Sequence, residues 1–237
     1  MRLLSKVLHP FLWLGVVLIR KDKLIVVNSQ YLRGVEQAIF VANHSNGYDF
    51  PTLGEVVRKQ FYILADYTMK NDFAVNLLNR SNGCIYVDRL SKQSRNDAKE
   101  EMLRLLKRGE NILLFPEGTW NLTESKMLLP LNWGVIDLSQ NADVPIIPIA
   151  ISYAKGKRVC RIGKPLRFSK QTDKKTAIDC VERRLTSIFW KAMERTGIHY
   201  RTRLPRNVFE SWRRDALRTY RRFDVRYEEK VIRKAEQ

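Results

Sequence analysis

Two short strings hold the residue types that acid-base chemistry requires. His44 and Asp49, separated by four residues, lie in Asn43-His44-Ser45-Asn46-Gly47-Tyr48-Asp49, and further on the chain reads Phe115-Pro116-Glu117-Gly118-Thr119. Each string follows an apolar, strand-like run, residues 37–42 and 111–115. Both would therefore lie at the carboxyl ends of buried strands, the edge of an open α/β sheet where ligands bind. A histidine, with an ordinary pKa near ~6.5, can take a proton from a weak nucleophile at neutral pH. A carboxylate on its far nitrogen fixes the tautomer and stabilises the imidazolium. The spacing suits a strand ending near Asn43, a turn through Ser45-Asn46-Gly47, and a helix entered at Asp49-Phe50-Pro51 with Asp49 as N-cap and proline in the first turn. Taken alone, the same spacing also fits a capping aspartate beside an ordinary loop histidine.

The elements that must position these residues are legible as alternating patterns. Strand-like runs occur at 24–27, 37–42, 61–65, 84–87, 112–115, 146–151 and 158–162. Residues 97–108 place Ala98, Met102, Leu105 and Leu106 on one helical face and stop at Gly109, a natural C′ residue. Residues 176–193 repeat Ala177, Val181, Leu185, Ile188 and Ala192 at helical spacing. Helices recurring between buried strands predict an α/β fold, a mostly parallel central sheet with helices on its faces. Pro145 and Pro148 cannot donate ladder hydrogen bonds, so the strand beside them is expected to be irregular or at an edge.

The chain has 237 residues, a hydrophobic fraction of 44%, a charged fraction of 29% and a formal net charge of +18. That length suits one substantial core, and the composition excludes a disordered chain. The charge demands an anionic partner: nucleic acid, an anionic membrane surface or phosphorylated substrates. No zinc-finger or ribonucleoprotein motif is present, and the charge gathers in terminal segments that also carry aromatic residues, so nucleic acid is not the expected partner. Cys84, Cys160 and Cys180 are scattered and odd in number, which indicates neither a disulfide framework nor a metal site and suits a reducing compartment.

Residues 7–19 are nearly all apolar, interrupted by His9 and Pro10 and flanked by Arg2, Lys6, Arg20, Lys21 and Lys23. A helix needs about 20 residues to span a bilayer, and no cleavage signal follows the stretch. Residues 1–23 are thus read as a membrane-associated segment, with Phe11 and Trp13 at the interface and the cations on anionic lipid; a helix packed on the domain is the alternative. Residues 24–200 form the central domain. Residues 201–237 carry an aromatic stripe, Phe209, Trp212, Ala216, Tyr220, Phe223, Tyr227 and Val231, on an otherwise basic amphipathic helix. Such a helix suits a membrane surface or a partner, or a charged face that is simply solvated.

In this order, the blocks resemble the lysophospholipid acyltransferase family, whose best-known members acylate 1-acylglycerol-3-phosphate. His44 to Asp49 matches its His-x4-Asp block, Gly83-Cys84-Ile85-Tyr86-Val87-Asp88-Arg89 its Gly-x-x-aromatic-x-x-Arg block, and Phe115-Pro116-Glu117-Gly118-Thr119 its third. Val144-Pro145-Ile146-Ile147-Pro148 is similar to the proline-bearing fourth. The resemblance runs over about residues 25–165. It implies direct transfer of a fatty acyl group from acyl-CoA or acyl carrier protein to the hydroxyl of a lysophospholipid, on the cytoplasmic face of the cell membrane, peripheral or monotopic, without a cofactor. His44 would be the general base and Asp49 its orienter. Gly83, Glu117, Gly118 and Thr119 would help bind the acceptor, and Arg89 would meet its anion. Purely structural readings stand beside these: Gly83 and Gly118 serving turns, Arg89 a surface ion pair, Glu117 a helix-end carboxylate and Thr119 a cap.

One position departs from the pattern. Many phosphate-using members carry arginine after the glutamate-glycine-threonine string, and here it is Trp120. Either Arg89, helped by a lysine such as Lys126, carries the acceptor's anion, or the acceptor is an amine or another group without phosphate. The chain has no Gly-x-Ser-x-Gly elbow, so His44 would activate the acceptor itself, with backbone amides after His44 on the oxyanion. Ser45 or Ser125 would be the nucleophile of a rival serine hydrolase.

Overall fold

The computed structural model of the protein describes residues 22–68, 83–123, 126–197 and 214. The apolar stretch at 7–19, Ser125 and the basic stripe beyond Pro205 lie outside them, Arg214 excepted. Seven strands form one sheet: β1 (Lys23–Val27), β2 (Ile39–Ala42), β3 (Phe61–Asp66), β4 (Cys84–Val87), β5 (Asn111–Leu114), β6 (Ile146–Ala154) and β7 (Lys157–Ile162), in the order β1-β7-β6-β2-β5-β3-β4. Every pairing is parallel except β6 with β7. The carboxyl ends of β2 to β6 therefore share one edge, while β1 and β7 run the other way.

Four helices cover the sheet among the described residues: α1 (Asp49–Val57), α2 (Lys92–Lys107), α3 (Gly134–Ala142) and α4 (Lys174–Thr196). Leu53, Val56 and Val57 of α1 pack on one face with Phe40, Phe61, Leu113, Ile147 and Ile149. Met102, Leu105 and Leu106 of α2 and Val135, Ile136 and Leu138 of α3 pack on the other with Ile39, Val41, Ile112 and Ile146. Further along that face Leu185, Ile188 and Ala192 of α4 meet Ala150 and Val159. β2 and β5 are buried on both faces, which is why they read as unbroken apolar runs rather than alternating ones.

β6 is not at an edge: it lies between β7 and β2. Its proline sits where the ladder is irregular. Pairing with the returning chain shifts by one residue between Ile149↔Ile162 and Ile146↔Leu166, leaving a bulge. Pro148 faces that bulge, so no ladder donor is lost there, and its carbonyl still accepts from the Gly163 N–H at 2.8 Å. Gly163 has to be glycine, since a Cβ there would stand 2.7 Å from the Pro148 ring.

Candidate active site

The chain leaves β2 at Ala42, and Asn43 locks the exit. Its amide donates to the Ile151 carbonyl at 3.0 Å and its side-chain oxygen accepts from the Ile151 N–H at 2.8 Å, extending the β2–β6 contact by one residue. His44 follows, with Nδ1 at 2.9 Å from Asp49 Oδ2. Asp49 is fully buried. Its Oδ2 also accepts the N–H groups of Ser45 at 2.6 Å and Asn46 at 3.0 Å, and Oδ1 accepts the hydroxyls of Tyr153 at 2.7 Å and Ser45 at 3.2 Å. Donors thus meet both oxygens of the buried carboxylate. Being acceptor-only, it makes Nδ1 the protonated nitrogen and leaves the Nε2 lone pair as the base. Nε2 has no hydrogen-bond partner among the described residues.

Tyr153 supports this state. Burial and the charge of Asp49 push its pKa well above the ordinary phenol value, so it remains a donor at any working pH. The imidazole is held from its faces too. It stacks on Phe115 with centroids 3.9 Å apart at 13°, and Trp120 stands edge-on at 6.0 Å and 81°.

Two expectations are corrected here. Asp49 is the first residue of α1, not its N-cap; Tyr48 holds the cap position without a side-chain bond. The turn is made instead by Asn46, whose side chain accepts the Tyr48 N–H at 2.8 Å and whose carbonyl accepts the Asp49 N–H at 3.2 Å. That frees the Asp49 carboxylate to reach back to the histidine. The amides after His44 are also largely committed: those of Ser45 and Asn46 to Asp49, that of Tyr48 to Asn46. Within this turn, Gly47 alone has an N–H with no acceptor among the described residues.

The carboxyl end of β5 lies beside this turn. Glu117, fully buried, accepts the His44 N–H on Oε1 at 2.9 Å and the Leu129 N–H on Oε2 at 2.8 Å. It therefore ties the two loops together beneath the histidine. Glu117 is not at a helix end and Thr119 caps none, for no helix begins among the described residues between Phe115 and Gly134. Gly118 does serve a turn, with φ of 72° and its N–H on the Phe115 carbonyl at 2.9 Å. Asn121 donates its N–H to the His44 carbonyl at 2.6 Å, and its side-chain amide holds the Lys126 carbonyl at 3.0 Å, which brings the loop of Lys126 to the same place.

Arg89 arrives from the end of β4. Its Nε donates to Asp66 at 2.8 Å and Nη1 donates to the Gly118 carbonyl. Burial pushes the Asp66 carboxyl up, but bonds from Thr68 and Arg89 outweigh it and hold the group below its usual value. Arg89 is thus half-buried and docked on the third block, not a loose surface pair.

Gly83 does not join this cluster. It precedes β4 at the amino edge of the sheet, four strand residues or roughly 13 Å from the edge of His44. Its φ is 86°, and a Cβ would meet the Tyr62 ring at 2.4 Å. Close packing under Tyr62 accounts for a glycine at this position. Ser45 spends its hydroxyl on Asp49, while Ser125, the other serine of the hydrolase reading, lies outside the described residues.

Tyr153, Asn43 and Asn121 were not read from the sequence. A signal for Tyr153 exists: it continues the alternation Ile147, Ile149, Ile151 that faces α1, had the strand been carried two residues further. The two asparagines carry no such pattern.

Fold and site together define an α/β protein built around a histidine-aspartate pair at the carboxyl edge of a mostly parallel sheet. Residues 23–152 match the family described as Acyltransferase, more than half of the chain. The chain belongs to that family. It is 27% identical over 149 residues to a 1-acyl-sn-glycerol-3-phosphate acyltransferase of Haemophilus influenzae, covering 58% of this chain and 61% of that one. It is 26% identical over 150 residues to a protein of the same name from Saccharomyces cerevisiae, covering 58% and 50%. A lyso-ornithine lipid O-acyltransferase of Pseudomonas aeruginosa is 30% identical over 117 residues, covering 49% and 43%. The fold is shared with the crystal structure of the 1-acyl-sn-glycerophosphate acyltransferase PlsC from Thermotoga maritima, with a TM-score of 0.60 at 18% identity over 81% of this chain and 78% of that one.

Proposed function

We propose that the protein transfers a fatty acyl group from acyl-CoA or acyl carrier protein to the hydroxyl of a lysophospholipid, 1-acylglycerol-3-phosphate in the first instance. It would work as a peripheral or monotopic enzyme on the cytoplasmic face of the membrane, in phospholipid synthesis. The observation that carries this reading is the buried, donor-saturated Asp49 held 2.9 Å from His44 Nδ1, which presents Nε2 as a base at the sheet edge. Nε2 takes the acceptor's proton as its oxygen attacks the thioester carbonyl. The tetrahedral intermediate then collapses, and the imidazolium returns the proton to the departing thiolate. Asp49 stabilises the imidazolium between these steps. The Gly47 N–H is the amide of the turn available to the oxyanion. Arg89 spends two of a guanidinium's five N–H donors on Asp66 and Gly118 and keeps the rest for an anion.

A second reading concerns the acceptor alone. Trp120 stands beside His44 where many phosphate-using relatives carry arginine, and Arg89 is already charge-compensated by Asp66. Both features suit an acceptor without a phosphate. The test is wild type, Arg89→Ala and Arg89→Lys on lysophosphatidate, an uncharged monoacylglycerol and an acyl-accepting amine, with one acyl thioester. Under the first reading lysophosphatidate is preferred, Arg89→Ala chiefly raises its KM, and Arg89→Lys recovers only part because a point charge lacks the fork. Preference for another acceptor, untouched by Arg89→Ala, would remove the glycerol phosphate and leave acyl transfer standing.

A further inference from the structure

The exposed large apolar side chains are not scattered over the described surface. Tyr48 (64% exposed), Tyr67 (55%), Leu90 (68%) and Trp133 (46%) follow β2, β3, β4 and β5 in turn, so all four lie at the carboxyl edge that carries His44. Val26 (38%), on β1, pairs through Cys160 with Ile151 and so stands level with His44, three strands away along the same edge. Trp190 lies on the outer side of α4.

The chain also enters and leaves the described domain at the catalytic edge. The Lys23 N–H donates to the Gly156 carbonyl at 2.9 Å, in the turn that follows β6, and this fixes where residues 1–21 join. Thr196, the last residue of α4, shares a hydrogen bond of 2.7 Å with Ser152 near the end of β6, and residues 198–237 continue from there. The first of these segments contains the apolar stretch with its flanking lysines and arginines, and the second the arginine-rich aromatic stripe. Around the edge itself Lys92, Arg95 and Lys126 are exposed, against Asp88. Apolar and aromatic residues ringed by cations, with basic chain ends departing beside them, complement the interface of an anionic bilayer.

We propose that the carboxyl edge of the sheet is itself a membrane-docking surface, with Leu90 and Trp133 as interfacial contacts and an anionic lipid bilayer as its occupant. Resting on the acyl-transfer reading, this surface lets a lipid acceptor reach His44 without crossing water. It also makes vesicle binding depend on the domain as well as on the terminal segments.

The test uses the full chain. Flotation on phosphatidylcholine vesicles with and without phosphatidylglycerol compares wild type, the Leu90→Glu/Trp133→Glu pair and Asn141→Glu, whose exposed site at the end of α3, just before β6, lies at the amino edge. Turnover of each is measured on a short-chain monomeric acceptor in solution. The pair should bind anionic vesicles at least ten-fold more weakly, about 1.4 kcal/mol, while Asn141→Glu binds like wild type. Solution turnover of both should stay within about two-fold of wild type, since each change is at an exposed position. Vesicle binding by the pair equal to wild type, or an equal loss with Asn141→Glu, would overturn the docking surface. Vesicle binding that behaves as expected while wild type lacks turnover on every acceptor would instead overturn acyl transfer and uphold the surface.

Discussion

Asp49 and Glu117 are both buried carboxylates at the same sheet edge, yet their surroundings give them different work. Asp49 takes its donors from the histidine and from the turn that presents it, so its charge acts on the imidazole. Glu117 spends its oxygens on the backbone N–H groups of His44 and Leu129, so its charge holds loops. Glu117→Gln should therefore act on stability first. A glutamine turns its NH2 towards one of those N–H donors, and a buried donor without an acceptor costs about 1–3 kcal/mol. A lowered thermal midpoint with an unchanged acceptor KM at low temperature is the expected result. A raised acceptor KM with an unchanged midpoint would return Glu117 to direct contact with the acceptor. The histidine-aspartate pair was legible once the four blocks were read together, because its spacing alone also suits a capping aspartate beside a loop histidine. The commitment of the neighbouring amides was not, because it depends on which way one carboxylate points.

At the scale of elements, all seven strands were legible, since runs of branched apolar residues between polar turns leave few alternatives. α3 was not foreseen: nine residues with Val135, Ile136 and Leu138 inward offer too few turns to show a helical period. For β6 the expectation of an irregular or edge strand held in its first form only: a proline speaks for its own missing donor, and here a bulge on the partner absorbs it within the sheet. A buried charge was equally invisible within β7. Arg158, 2% exposed, meets Glu55 of α1 at 2.8 Å and Asp22, just before β1, at 2.6 Å, and also donates to Thr52 at 3.1 Å. It fastens α1, and with it the helix start that carries Asp49, to the far side of the sheet. Arg158→Met leaves Glu55 buried without its partner, a loss of about 3–5 kcal/mol. Urea denaturation should show a midpoint lowered to match. A midpoint equal to wild type would mean that the helix is held by its apolar face alone.

Across the whole molecule, the proposed lipid surface rests on a net charge of +18 and on exposed apolar groups gathered at one edge; among the described residues no helix is long and apolar enough to cross a membrane. Composition suggested an anionic partner, but only the strand directions place Lys23 and Thr196, near the limits of the described domain, at the carboxyl edge that carries His44. The central claim is that His44 moves the acceptor's proton in a direct acyl transfer. The measurement that tests it is the rate of acyl transfer from an acyl thioester to the preferred acceptor in vesicles, by the full chain and by His44→Ala of matched thermal midpoint. A loss of roughly 100-fold or more is predicted for removal of a general base. Transfer by folded His44→Ala at a near wild-type rate would contradict the account.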